Sequence, residues 1–191
     1  MRVLGALLEK DLATPEYYPL TVNSLQNACN LKSSREPVVH YDESTVAQAL
    51  ELLKNKGFVT RISGAGHRVE KFAHRLGEKL NLGRRELALL CVLMLRGPQT
   101  VGELRGRTER MHDFADMEEV EHVLEALGAL DLVAPAARGR WAHLFSGPPD
   151  ASSEAEPEPA LRSALEDRIA ALEREVEEIK QQFAEFRRQF E

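Results

Sequence analysis

Thr45, Gln48 and Lys54, followed within twenty residues by Arg61, His67, Arg68 and Lys71, form a run of side chains suited to nucleic acid. A glutamine amide can donate to and accept from a base edge, and lysine, arginine and protonated histidine can neutralise phosphates. Val46, Leu50 and Leu53 recur at helical spacing through the same stretch, so burying them leaves Ser44, Thr45, Gln48 and Glu51 on the open faces of one helix. Lys54 and Lys56 lie near that helix's end, and Arg61, His67, Arg68 and Lys71 sit on the two strands and turn that follow. Glu43 and Glu51 oppose a phosphate backbone, and an ordinary solvated helix face explains the same pattern equally well. A second candidate is the loop Lys32-Ser33-Ser34-Arg35-Glu36-Pro37. Lys32 and Arg35 with two hydroxyls could hold an anion; alternatively the loop is structural and Arg35 caps or bridges helices.

The element that carries the first run is used twice. Val46, Leu50, Leu53 and Phe58 return as Val120, Leu124, Leu127 and Leu132, each 74 residues later. Asp42 and Asp116 precede the two helices as N-cap residues. Each helix leads into a strand, a turn and another strand, and the second strands end alike, Lys71-Phe72-Ala73-His74 against Arg140-Trp141-Ala142-His143. Upstream, residues 3–10 and 86–96 read as apolar-periodic helices, and Thr21 and Thr100 cap a second helix in each copy. The helix at residue 3 has no capping residue before it, which implies that part of it is missing or that its start frays.

Helix, helix, helix and two-stranded hairpin is the order of a winged helix, a helix-turn-helix variant with an added β-ribbon. The expected fold is mainly α with small β-hairpins (α+β): tandem winged-helix domains at 1–77 and 80–146, an acidic Pro/Ala/Ser linker at 147–160 and a C-terminal coiled-coil helix at 161–191. In the last segment, Ile169, Val176, Phe183 and Phe190 alternate with Leu165, Leu172, Ile179 and Phe186 in a heptad seam. β-branched residues at the early a positions with Leu or Ile at most d positions favour a parallel pair. The flanking charges match Arg168 with Glu173 and Glu175 with Lys180 across such a dimer. A long helix folded back on the globular part is the competing reading of the seam.

Charge separates the copies. The formal total is −6 over 191 residues. Residues 1–77 hold 10 Lys+Arg against 8 Asp+Glu, whereas residues 148–191 hold 6 against 12. The second copy's third helix bears Asp116, Glu118, Glu119, Glu121 and Glu125, with no Lys or Arg from Asp113 through Ala137. Carboxylates facing phosphates oppose the main source of nucleic-acid affinity, so this copy suits protein binding or domain packing. Arg105, Arg107 and Arg110 lie just upstream and are expected to pair with those carboxylates.

Enzymatic chemistry has little support. His40, His67, His112 and His122 show no metal-ligand spacing, and His74 and His143 are repeat-equivalent, which marks them as structural. Gly64-Ala65-Gly66 reads as a hairpin turn. Cys29 and Cys91 read as buried thiols in a reducing compartment. No cofactor and no metal are expected. The apolar run 87–95 is too short to span a bilayer, and Glu9, Lys10 and Asp11 interrupt the leucines at the start, so a cytoplasmic location is expected.

Several longer strings resemble a known family. Leu7-Leu8-Glu9-Lys10, Thr14-Pro15-Glu16-Tyr17-Tyr18-Pro19-Leu20, Ala28-Cys29-Asn30 and Arg35-Glu36-Pro37-Val38 look like the YceH-like family of uncharacterised bacterial proteins. So do Leu95-Arg96-Gly97-Pro98-Gln99-Thr100-Val101-Gly102-Glu103-Leu104-Arg105 and His143-Leu144-Phe145-Ser146-Gly147. The resemblance covers about residues 1–147 and implies tandem winged helices without implying a mechanism. The functional expectation is a homodimeric, DNA-associated regulator that binds through its first winged helix. An adaptor whose two winged helices bind an unidentified protein partner is the alternative.

Overall fold

The computed structural model describes residues 1–62 and 69–147, together with Lys180, which is helical and exposed. Residues Met1–Pro149 form one compact unit. The linker and the heptad positions Leu165, Ile169, Leu172, Val176, Ile179, Phe183 and Phe186 lie outside the described residues.

The described chain is a mixture of seven α-helices and two small antiparallel sheets. Its first half runs α1 (Arg2–Ala13), α2 (Val22–Cys29), α3 (Glu43–Asn55), β1 (Val59–Ile62) and β2 (Lys71–His74). A short α4 (Leu76–Leu80) leads to the second half. There α5 (Arg84–Arg96), β3 (Gln99–Thr100), α6 (Val101–Thr108), α7 (Met117–Ala129), β4 (Val133–Ala136) and β5 (Arg140–His143) repeat the order.

The helix starts follow local hydrogen-bond chemistry. Thr21 accepts from the Ser24 amide at 3.2 Å, Asp42 from Thr45 at 2.7 Å and Asp116 from Glu119 at 2.8 Å. Thr100 and Glu103 form a reciprocal capping box at the start of α6. Each cap satisfies an amide that the helix leaves without a partner. Met1 precedes α1 without a side-chain cap.

The hairpins pair in matching register, Val59 opposite His74 in the first and Val133 opposite His143 in the second. A third stretch of chain joins each of them just before the cap of the second helix. In the second half this is β3, with Gln99 opposite Trp141. In the first half Leu20 exchanges two backbone bonds with Phe72, at 3.2 and 2.8 Å. Trp141 and Phe72 are the repeat-equivalent aromatics, so the duplication extends to an element the side-chain pattern does not reveal.

The core centres on α1 and α5, which pack against each other. All nine residues from Leu87 to Leu95 are buried, as are Val3, Leu4, Ala6, Leu7 and Leu8 on α1. A helix apolar on every side belongs inside a core. Gly5 permits the close crossing, because a Cβ there would lie 3.0 Å from the Leu95 side chain and 3.1 Å from the Met94 Cβ. The loop between α2 and α3 is tied down at both ends. Asn30 takes the Tyr41 amide at 2.8 Å and donates to the Tyr41 carbonyl at 2.8 Å, while the Glu36 amide reaches the Leu95 carbonyl of α5 at 2.9 Å.

Candidate nucleic-acid interface

Burial of Val46, Leu50 and Leu53 fixes the rotation of α3. Ser44, Thr45, Gln48, Glu51, Leu52 and Asn55 are consequently exposed. Thr45 and Gln48 are one helical turn apart and share a face. At the start of that face, hydrogen bonds from Thr45 and then Ser44 hold the Asp42 carboxyl below the usual carboxylate range. The face is not wholly polar: Leu52 is 64% exposed, and with Ala47, Gln48, Glu51 and Asn55 it borders a shallow depression.

The cations are less free than their sequence positions suggest. Lys54 donates to both oxygens of Glu51, at 2.8 and 2.6 Å. Arg61 on β1 pairs at 2.6 Å with Glu70 across the hairpin. Lys71 is half-buried opposite Ile62. His67 and Arg68 lie outside the described residues. The structure thus brings Thr45 and Gln48 together on an open face, with Lys54 and Arg61 each held by a neighbouring carboxylate. Both pairs are largely exposed, and such pairs contribute only about 0–1 kcal/mol. Turning either cation toward a phosphate therefore costs little.

On α7 the arrangement is acidic. Asp116, Glu118, Glu119, Glu121, His122 and Glu125 border one depression. Glu119 is the most engaged of these, accepting from the Ala115 amide at 3.0 Å and pairing with Arg85 at 3.4 Å. The expected pairing of Arg105 and Arg107 with this helix does not occur. Arg105 donates to the Phe114 and Ala115 carbonyls at 3.2 and 2.8 Å, and Arg107 pairs with Glu103 on its own helix at 3.4 Å. Unsatisfied carbonyls in the segment entering α7 compete successfully for the Arg105 guanidinium.

The loop residues Lys32 and Arg35 do not converge on an anion site. Lys32 is exposed, whereas the Arg35 side chain is fully buried. Its guanidinium clasps Glu9 of α1 in two bonds, at 3.0 and 2.6 Å. It also donates to the Ala28 carbonyl at 3.1 and 2.9 Å and to the Ser34 carbonyl at 2.9 Å. Arg35 thus links α1 to the end of α2 and to its own loop. Glu9 is 26 residues away from Arg35, and no local spacing announces it.

The repeat-equivalent histidines occupy equivalent register positions with different partners. His74 Nδ1 accepts from the Leu76 amide at 3.3 Å, so Nε2 carries the proton toward Asp11 at 3.1 Å. His143 packs edge-on against Phe145, and burial pushes its pKa down. Cys29 and Cys91 are buried and unpaired. Burial pushes the Cys29 thiol up to about 11 and raises Cys91 as well. Among the described residues, no group of three or more His, Cys, Asp or Glu is placed to hold a metal ion, and no helix is long and apolar enough to cross a membrane.

These features define a mixed α and β protein built on a duplicated helix–helix–helix–hairpin plan, with a hydrogen-bonding face on one copy and an acidic face on the other. The chain belongs to the family described as protein of unknown function DUF480, which matches residues 1–138. It is 54% identical to a UPF0502 protein of Solibacter usitatus, over all of this chain and 96% of that one. It is 51% identical to one of Citrifermentans bemidjiense, over 92% of this chain and 86% of the relative. A third, from Shewanella piezotolerans, is 44% identical over 97% of this chain and 94% of its own length. The YceH-like resemblance and this family agree.

Proposed function

We propose that the chain is a non-enzymatic cytoplasmic regulator. In this reading each helix–helix–helix–hairpin copy is a winged helix, the first copy contacts duplex DNA, and a parallel coiled coil over 161–191 makes it a homodimer. The observation that carries the DNA contact is the open face of α3, where Thr45 and Gln48 stand clear of the core beside a hairpin edged by Arg61. A winged helix lays its third helix in the major groove and its hairpin along the backbone. Gln48 then reads a base edge, and Arg61, Arg68 and Lys71 meet phosphates. A second reading, a protein-binding adaptor, draws on exposed Leu52, the paired cations and the acidic α7.

Fluorescence anisotropy with a random duplex pool at two salt concentrations separates the two. On the DNA reading, replacing Arg61, Arg68 and Lys71 with Ala weakens binding to every sequence. It also lowers the salt slope by about 2–3, since each phosphate contact contributes roughly 0.9. Gln48→Ala changes sequence preference, and reversing Glu118, Glu119 and Glu121 does not abolish binding. Absence of salt-sensitive binding at low salt, with a protein partner still recovered after nuclease treatment, replaces the DNA reading with the adaptor.

A further inference from the structure

The C-terminal ends of α1, α5 and α6 and the loop after α2 enclose a cavity of about 210 Å³. Its apolar wall comes from α5, with Val92 and Leu95, and Ser33 and Ser34 add hydroxyls from the loop. Lys10, Arg96, Arg107 and Arg110 border the same space. One carboxylate, Glu9, is also there, and the buried Arg35 already holds it at 2.6 Å. Arg107 reaches Glu103 at 3.4 Å, but that carboxylate also receives the Thr100 amide at 2.9 Å and Arg140 at 3.1 Å. Among the described residues, no hydrogen bond or ion pair holds the side chains of Lys10, Arg96 or Arg110.

Cations near a helix C-terminus have an ordinary role, offsetting the partial negative charge of the last carbonyls. Three such ends supply only about −1.5 elementary charges together, against four cationic side chains whose nearby carboxylates, Glu9 and Glu103, are shared with Arg35 and Arg140. The cavity keeps a positive excess. The pKa of Arg96 is lowered first by burial and then by Arg107 and Arg35, with Glu36 and Glu9 acting in the opposite sense. Arginine clusters of this kind match the geometry of phosphate oxygens.

We propose that this cavity binds a small phosphate-bearing ligand, its oxyanion held by Arg96, Arg107, Arg110 and Lys10 and its body resting on Val92 and Leu95. Lys10 and the loop belong to the first copy, the arginines to the second, so an occupant ties the two copies together. The site is independent of any DNA contact.

Calorimetric titration of the full chain with inorganic phosphate and with pyrophosphate, at constant ionic strength, tests the assignment. Saturable binding is expected, with Arg96→Gln and Arg107→Gln each weakening it at least about tenfold and Glu118→Gln leaving it unchanged. Should the Arg96 or Arg107 variant unfold, Arg110→Gln at an exposed position and Lys10→Gln at a half-buried one carry the same expectation. Failure of both probes to bind at about 10 mM, well above a millimolar Kd, overturns the proposal. So does binding that survives all four substitutions, or tighter binding of succinate with the same dependence on them.

Discussion

Replacing Glu9 with Gln removes the counter-charge from a guanidinium whose side chain is 0% exposed, while Glu9 itself retains 20%. Arg35 cannot turn to water, because two of its remaining bonds end on the Ala28 carbonyl near the end of α2 and one on Ser34. Breaking a buried pair from one side costs about 3–5 kcal/mol. The residual exposure of Glu9 and the surviving amide-to-guanidinium bond place this case near the lower end, at about 3 kcal/mol. Arg35→Met is expected to cost less, about 2 kcal/mol. Glu9 can then rehydrate at the surface, and the loss is chiefly that of the donor to the two carbonyls. The double variant should cost less than the sum of the singles by about 1.5 kcal/mol or more, since each single strands a group the other no longer needs. Urea unfolding followed by circular dichroism reads all three values, with the m-value checked for constancy. A Glu9→Gln cost below about 1 kcal/mol, or strict additivity, refutes the reasoning.

Two further outcomes follow from other parts of the chain. Removing residues 161–191, or placing Asp at both Leu172 and Ile179, is expected to turn a dimer into a monomer by light scattering while the helix and hairpin signal in circular dichroism persists. A dimer that survives either change places the interface elsewhere. Burial lowers the folded pKa of His143, and its Nδ1 has no partner among the described residues, so the unfolded chain takes up the proton first. Stability from this site is therefore full above the ordinary histidine pKa of about 6.5 and declines as pH falls toward the lower folded value. Thermal unfolding at about pH 7.5 and 5.5 should show a drop that His143→Gln reduces; an equal drop in the variant denies His143 the role.

What the sequence discloses here is what neighbouring residues decide among themselves. Thr21, Asp42, Thr100 and Asp116 each bond an amide three residues on, so helix starts are legible without the rest of the fold. The hairpins are legible because their second strands share an aromatic-Ala-His ending. The brief α4 is not: its five residues depend on burying Leu76 and on Asn81 turning the chain at φ 53°. Long-range choices are equally silent. Arg35 seeks Glu9 across 26 residues, and Arg105 chooses two carbonyls over the carboxylates of α7. The Arg61–Glu70 pair removes free charge from a hairpin that composition alone shows as basic. A guanidinium is flexible enough to reach several partners, and only packing decides which it meets.

The repeat also conceals a dependence between its copies. Sequence similarity divides the chain near residue 78, yet α1 and α5 pack against each other inside one compact unit. Gly5 makes that crossing close, Cys91 hydrogen-bonds the Gly5 carbonyl at 3.5 Å, and Arg84 at the start of α5 donates to the Leu12 carbonyl at 2.7 Å. The loop after α2 adds its own tie through Glu36 and Leu95. A small shift of α5 must therefore be absorbed by α1, because a close-packed interior transmits strain rather than dissipating it. The cationic cavity opens at the ends of these same two helices. An anion settling among Lys10, Arg96, Arg107 and Arg110 would bear on the contact that joins the two copies.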